Sequence, residues 1–236
     1  MKLPGFIKKG IMGFTRKFGY EIIKTNNQNT KWTHIGNPVE HNSKNGMDTF
    51  YKREGLLTEY MDHERIEFYK EVVELIKQKV KFSNDKTIAD AGCGTGHLLY
   101  FLKEQVEFEK ATGFDFSPEA IKMAKELFPS FEFYVFDIYS GQDQKFDIVL
   151  CTEVLEHLLH PDLALSNLLS MLNPGGSLFI TVPNGRLDTF KGHINFWSPE
   201  SWEIFIKKNA TGYETGTGTV QNDQVNFALI KNRREN

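Results

Sequence analysis

Asp90-Ala91-Gly92-Cys93-Gly94-Thr95-Gly96 is the stretch that decides the fold. A short apolar run, Thr87–Ala91, precedes it, and a helical pattern over His97–Glu104 follows. The reading is a strand, a glycine turn and a helix start. Glycines at such a turn let a backbone approach a ligand with no Cβ between them. The helix start behind them offers unpaired N–H groups. In an open α/β sheet this corner, at the carboxyl ends of the strands, is where ligands bind.

Outward from that corner the chain alternates. Upstream, Ile66, Tyr69, Val73, Ile76 and Val80 recur at intervals of three and four, which predicts an amphipathic helix over 64–80. Downstream, strands are expected at Ala111–Phe114, Phe131–Phe136, Phe146–Cys151 and Ser177–Val182. Helices are expected between them. One starts at Ser117-Pro118-Glu119, with Ser as N-cap and Pro in the first position. Another covers 162–172, closed by Asn173-Pro174-Gly175-Gly176, and a third covers Pro199–Lys207. Residues 213–231 read as two strands around Gln221-Asn222-Asp223. This alternation implies a mostly parallel sheet with helices on both faces and an antiparallel terminal hairpin. Residues 25–47, rich in Asn, Thr, Lys and Gly with Pro38, read as a loop.

Bulk properties narrow the function. The 236 residues suit one α/β domain with an extension, drawn at 1–62 as a helical lid ahead of a ligand-binding domain at 63–236. A net charge of −3 argues against a nucleic-acid partner. Cys93 and Cys151 stand in no metal or redox spacing, so reduced buried thiols and a cytoplasmic location are expected. Between Met1 and Lys31 there are seven Lys or Arg and one acid, Glu21, with Phe6, Ile7, Ile11, Phe14 and Phe18 interspersed at roughly helical spacing. That stretch is either an ordinary packed helix or a basic amphipathic one touching the inner face of a membrane or a partner.

Three details specify the ligand. The loop is G-x-G-x-G, and His97 stands where a dinucleotide fingerprint has its third glycine. Asp90 precedes the loop, where it would repel a pyrophosphate and attract the ammonium group of an amino-acid moiety. Two more acids close the next strands. Asp115 can accept both hydroxyls of a ribose, and Asp137 can accept from an adenine amino group, with Phe116 and Ile138 flanking the ring.

With those residues in place, 85–185 resemble the core of class I S-adenosylmethionine (SAM)-dependent methyltransferases, including Leu172-Asn173-Pro174-Gly175-Gly176. The resemblance implies a Rossmann-like, doubly wound, seven-stranded sheet. It also implies SAM contacts at Asp90, Gly92, Gly94, Gly96, Asp115 and Asp137.

A second constellation follows the fourth strand: Glu153-Val154-Leu155-Glu156-His157. On a helical turn Glu153, Glu156 and His157 share a face. His193 should open on the same sheet edge. The four could ligate a divalent metal such as Mg, or His157 and His193 could serve as the catalytic groups without one. The stretch resembles ubiquinone-biosynthesis O-methyltransferases and, with the later histidine, small-RNA 2′-O-methyltransferases. The flanks, Asp48-Thr49-Phe50-Tyr51 and His193 to Glu200, resemble bacterial methyltransferases of surface-polysaccharide and glycan pathways. They imply Tyr51 or Tyr60 near the acceptor and stacking by Phe196, Trp197 and Trp202. The expected activity is O-methylation of a small or glycan-linked hydroxyl. The alternatives are a quinone-precursor or RNA 2′-hydroxyl acceptor, and a SAM-binding module that does not catalyse.

Overall fold

A computed structural model describes residues 37–57 and 61–233. Tyr60 and the basic stretch at 1–31 lie outside the described residues. Two helices open the described chain: α1 (Pro38–His41) and α2 (Lys44–Tyr51). Their presence corrects the loop expected through residue 47. Asn37 caps α1 by accepting from Val39 N at 3.0 Å, so Pro38 starts a helix there instead of ending one. Ser43 caps α2 the same way, through Gly46 N.

After α3 (His63–Lys79) come β1 (Thr87–Ala91), α4 (His97–Lys103), β2 (Lys110–Asp115), α5 (Pro118–Leu127), β3 (Glu132–Val135) and β4 (Phe146–Thr152). A 3-10 turn at Leu155–His157 leads into α6 (Pro161–Ser170), β5 (Leu172–Pro183), α7 (Pro199–Asn209), β6 (Glu214–Val220) and β7 (Val225–Lys231). The strands form one seven-stranded sheet in the order β3-β2-β1-β4-β5-β7-β6. Neighbours pair in parallel from β3 to β5, and β7 pairs antiparallel with both β5 and β6. Strand order reverses between β1 and β4, so the crevice for a ligand opens at their carboxyl ends.

Strand periodicity divides the core into two layers. Ile88, Ile148, Leu150 and Phe179 face α3, α4 and α5, where Ile76, Leu99, Leu102 and Ile121 meet them. Ala89, Val149, Cys151 and Ile180 face the other way, onto Leu165 and Leu168 of α6 and Trp202 and Ile206 of α7. Trp202 is fully buried, and its indole N–H donates to Phe227 O at 3.0 Å. Burying each such side chain contributes about 1.5–3 kcal/mol, which fixes the helices and therefore the strand ends. Both cysteines are buried free thiols.

Asn173-Pro174-Gly175-Gly176 does not close α6. It forms an excursion within β5: Phe146 pairs with Leu172 and Ile148 with Ser177, so the four residues bulge out of the register. Gly175 takes φ +75° there. Asn232 satisfies the bulge, donating from its backbone N to Gly176 O at 2.9 Å and from Nδ2 to Asn173 O at 3.0 Å.

Candidate active site

The glycine loop is held from below by β2. Gly92 N and Cys93 N both donate to Phe114 O, at 2.7 and 3.0 Å. Gly92 has φ +82°, and a Cβ there would collide with the side chain of Val154. Gly94 has φ +52°, and its Cβ would lie 2.9 Å from Tyr51 Oη. Larger residues at these two positions would separate the loop from the segment after β4 on one side and from α2 on the other. Gly96 is the N-cap of α4.

Asp90 ends up under this loop, 1% exposed, with Oδ2 lacking a hydrogen-bond partner among the described residues. Burial, helped by the charge of Asp115, pushes its carboxyl up to about 7. Asp115 is buried too, and two backbone groups hold it: Gly94 N donates to Oδ2 at 3.0 Å and Ser117 N to Oδ1 at 2.9 Å. Burial still raises it to about 6, with those two bonds opposing and Asp48 adding to the rise. Each oxygen keeps a second lone pair for a ligand hydroxyl. Phe116 is half-buried beside it. Asp137 is exposed beyond β3 and accepts from Tyr139 N at 2.9 Å, while the half-buried Ile138 packs on the core.

Helix α2 packs beside this edge. Ser117 Oγ donates to Asp48 Oδ1 at 2.5 Å, and Lys52 pairs with Glu119 at 3.4 Å. Tyr51 is buried with Leu56 against Ala120 of α5.

Val154 links the glycine loop to the second constellation. Glu153 takes φ +55°, so the chain does not enter a helical turn there. Its Oε1 accepts from Thr181 Oγ1 at 2.9 Å, and burial raises its carboxyl to about 6. Glu156, His157 and His193 do come together: one ligand atom from each lies within 4.8 Å of the others. Glu153 is not in that group. Glu156 Oε1 is 3.8 Å from His157 Nε2 and 3.9 Å from His193 Nε2. The two imidazoles meet edge to face with centroids 4.6 Å apart. Glu156 is 1% exposed, and neither of its oxygens has a hydrogen-bond partner on another described residue. Burial and the charge of Glu153 raise its carboxyl well above the usual range. Burial and the neighbouring His193 lower His157 to about 3, so its ring is neutral near pH 7. His157 Nδ1 also lacks a partner among the described residues.

The supporting residues carried no motif. Asn195 Nδ2 donates to Leu155 O at 3.2 Å and Leu158 O at 2.7 Å, gripping the 3-10 turn from both ends. Ile194 N and Asn195 N both donate to Glu156 O, at 2.8 and 2.9 Å. Asp188 Oδ2 is 2.5 Å from His193 Nδ1. Asn42 Nδ2 donates to Gly192 O at 2.6 Å, and burial together with Arg53 and His193 lowers the pKa of His41. Their only sequence signal was nearness to His193 or to the extension. Of the expected aromatics, Phe196 is 49% exposed with its centroid 6.3 Å from that of His193. Trp197 and Trp202 pack on each other at 5.3 Å, within or against the core, so they belong to packing.

A family model described as a methyltransferase domain matches residues 61–210. The chain belongs to this methyltransferase family. Within it, the methyltransferase is 32% identical over 117 residues to trans-aconitate 2-methyltransferase of Escherichia coli, covering 49% of this chain and 46% of the relative. It is 30% identical over 121 residues to the ubiquinone biosynthesis O-methyltransferase of Coxiella burnetii, covering 49% of this chain and 50% of the relative. The chain thus spans about half the length of the curated relatives it matches. In fold it is similar to the N-methyltransferase NodS from Bradyrhizobium japonicum WM9, solved with S-adenosyl-L-homocysteine (SAH). The TM-score is 0.62 at 18% identity, over 84% of this chain and 99% of that one. The chain thus carries a methyltransferase domain on a Rossmann-like sheet, the fold of the SAH-bound neighbour. No helix among the described residues is long and apolar enough to cross a membrane.

Proposed function

We propose that the methyltransferase moves the SAM methyl group to a hydroxyl of a small or glycan-linked acceptor, with His157 as general base. The observation that carries this reading is a half-buried imidazole, neutral near pH 7, tied through Val154 to the glycine loop. The sulfonium methyl is already electrophilic, so the cofactor supplies the difficult chemistry. The protein's part is alignment and removal of one proton. Asp90 would hold the cofactor ammonium, Asp115 its ribose hydroxyls, and Asp137 its adenine amino group, with Phe116 and Ile138 beside the ring. Gly92, Gly94 and Gly96 make room for it. Bound SAM would supply an electrophilic methyl carbon for the acceptor oxygen, with its sulfur as leaving group. The hydroxyl proton passes to His157, whose Nδ1 is unpartnered among the described residues. Helix α2, through Tyr51 and Asp48, acts as a lid over the site, and Phe196 offers the acceptor an exposed ring.

A second reading is favoured by Glu156. A buried carboxylate with no donor on either oxygen among the described residues, facing two imidazole nitrogens, suits a divalent cation. Glu156, His157 and His193 would hold it, with Glu153 diverted to Thr181. One carboxylate and two imidazoles fit Zn²⁺ or Mn²⁺ better than Mg²⁺. A bound cation would lower the pKa of the acceptor hydroxyl.

The test is transfer of labelled methyl from SAM into separated small-molecule, lipid, polysaccharide and RNA fractions, with and without chelator. Label in a small-molecule or polysaccharide fraction, stable to mild alkali as an ether is, supports the reading. Alkali-labile ester label, label in RNA, or no transfer by a protein that binds SAH would contradict it. Loss of transfer with chelator would favour the cation.

A further inference from the structure

The loop after β5 contains a second carboxylate–imidazole contact that the reaction above does not use. Asp188 and His193 are both nearly buried, with side-chain exposures of 8% and 10%, and Oδ2 lies 2.5 Å from Nδ1. Asp188 is itself fixed, because its other oxygen accepts from Phe190 N at 2.9 Å. The backbone of the loop is fixed as well. His193 N donates to Phe190 O at 3.2 Å, and the next two amides donate to Glu156 O. The ring is packed edge-on by Phe190 at 4.7 Å and by His157 at 4.6 Å. Its remaining nitrogen, Nε2, faces Glu156.

An imidazole can present a lone pair on only one nitrogen, and the hydrogen bond at the other nitrogen selects which. A carboxylate accepts and does not donate, so Asp188 demands the proton on Nδ1. We propose that Asp188 is a positioning residue: it fixes the Nδ1–H tautomer of His193 and turns the bare Nε2 toward Glu156 and His157. The inference rests on the reading that this trio is the acceptor site. Its consequence holds for either version of that reading. A cation would find an oriented nitrogen ligand, and an acceptor hydroxyl would find an oriented hydrogen-bond acceptor.

The experiment is long-range proton–nitrogen NMR on histidine-labelled protein at pH 8, free of metal and cofactor. Wild type is expected to show His193 protonated at Nδ1 and bare at Nε2. Asp188→Asn, nearly identical in shape but able to donate, is expected to shift protonation to Nε2. Asp188→Ala is expected to give mixed tautomers. In calorimetric titrations with Mn²⁺, Asp188→Asn is expected to weaken any wild-type binding by about 10–100-fold. A wild-type ring protonated at Nε2, whether neutral or cationic, overturns the proposal, and so does an unchanged tautomer in both variants. The tautomer is read without SAM or acceptor. A failed methyl-transfer assay therefore leaves it standing, and a wrong tautomer leaves methyl transfer untouched.

Discussion

Acidification from pH 7 to pH 5 is expected to weaken cofactor binding through Asp90. The carboxyl is buried, has an oxygen unpartnered among the described residues, and is pushed up to about 7 in the free protein. The cofactor's ammonium needs it ionised. The ionised fraction is about one half at pH 7 and about one hundredth at pH 5. If the bound ammonium returns Asp90 to an ordinary carboxylate pKa, affinity falls about 50-fold, or ~2.3 kcal/mol. The ligand's own α-amino group stays protonated over this range. SAH titrated calorimetrically at both pH values measures the change, and at pH 6 binding should release about 0.9 proton from this group. Asp115, raised to about 6, contributes a smaller slope of its own. Asp90→Asn separates the two: its affinity at pH 7 should match that of wild type at pH 5, and most of the slope should vanish. Equal wild-type affinity at both pH values, or an undiminished slope in Asp90→Asn, would refute the assignment.

Other expectations follow from the same geometry. His157→Ala should bind SAH normally yet lose about 10²–10⁴-fold in turnover; wild-type turnover would remove it as base or ligand. Because Asp90 and Asp115 have raised pKa values in the fold, their protonated forms favour the folded state. That stability is fully present below about pH 4 and is lost as pH rises through 6 and 7. The melting temperature without cofactor should therefore be higher at pH 5 than at pH 7.5, with SAH narrowing the gap; the reverse order would contradict the burial argument. Trp202→Ala should cost about 3–5 kcal/mol in urea unfolding, and a loss under 1 kcal/mol would mean the α7 layer is not packed as described.

What could be read in the sequence followed from local physics. Thr87–Ala91 is a strand with the same bounds as expected, because an apolar run ending in glycines has few other solutions. Ser117 and Pro118 start α5 as cap and first residue, and the hairpin turns where Gln221, Asn222 and Asp223 adopt positive φ. Asn173-Pro174-Gly175-Gly176 was harder, since a helix stop and a β-bulge use the same residues and only the pairing of Phe146 and Ile148 distinguishes them. The helical spacing of Glu153 with Glu156 misled for a similar reason: a left-handed Glu153 gives its carboxylate to Thr181 on β5. Asn195 and His41 act through contacts made only when separate segments fold together, and Asp188 meets His193 only through the irregular turn of one loop. No spacing rule could have selected them.

The most direct test of the central claim is a calorimetric titration of SAH into the wild type and Asp115→Ala. The account predicts one site per chain in wild type and loss of most of that affinity in the variant, because Asp115 holds the Gly94 amide and is the proposed partner of the ribose hydroxyls. Absence of binding in wild type, or equal affinity in a folded Asp115→Ala, would contradict it.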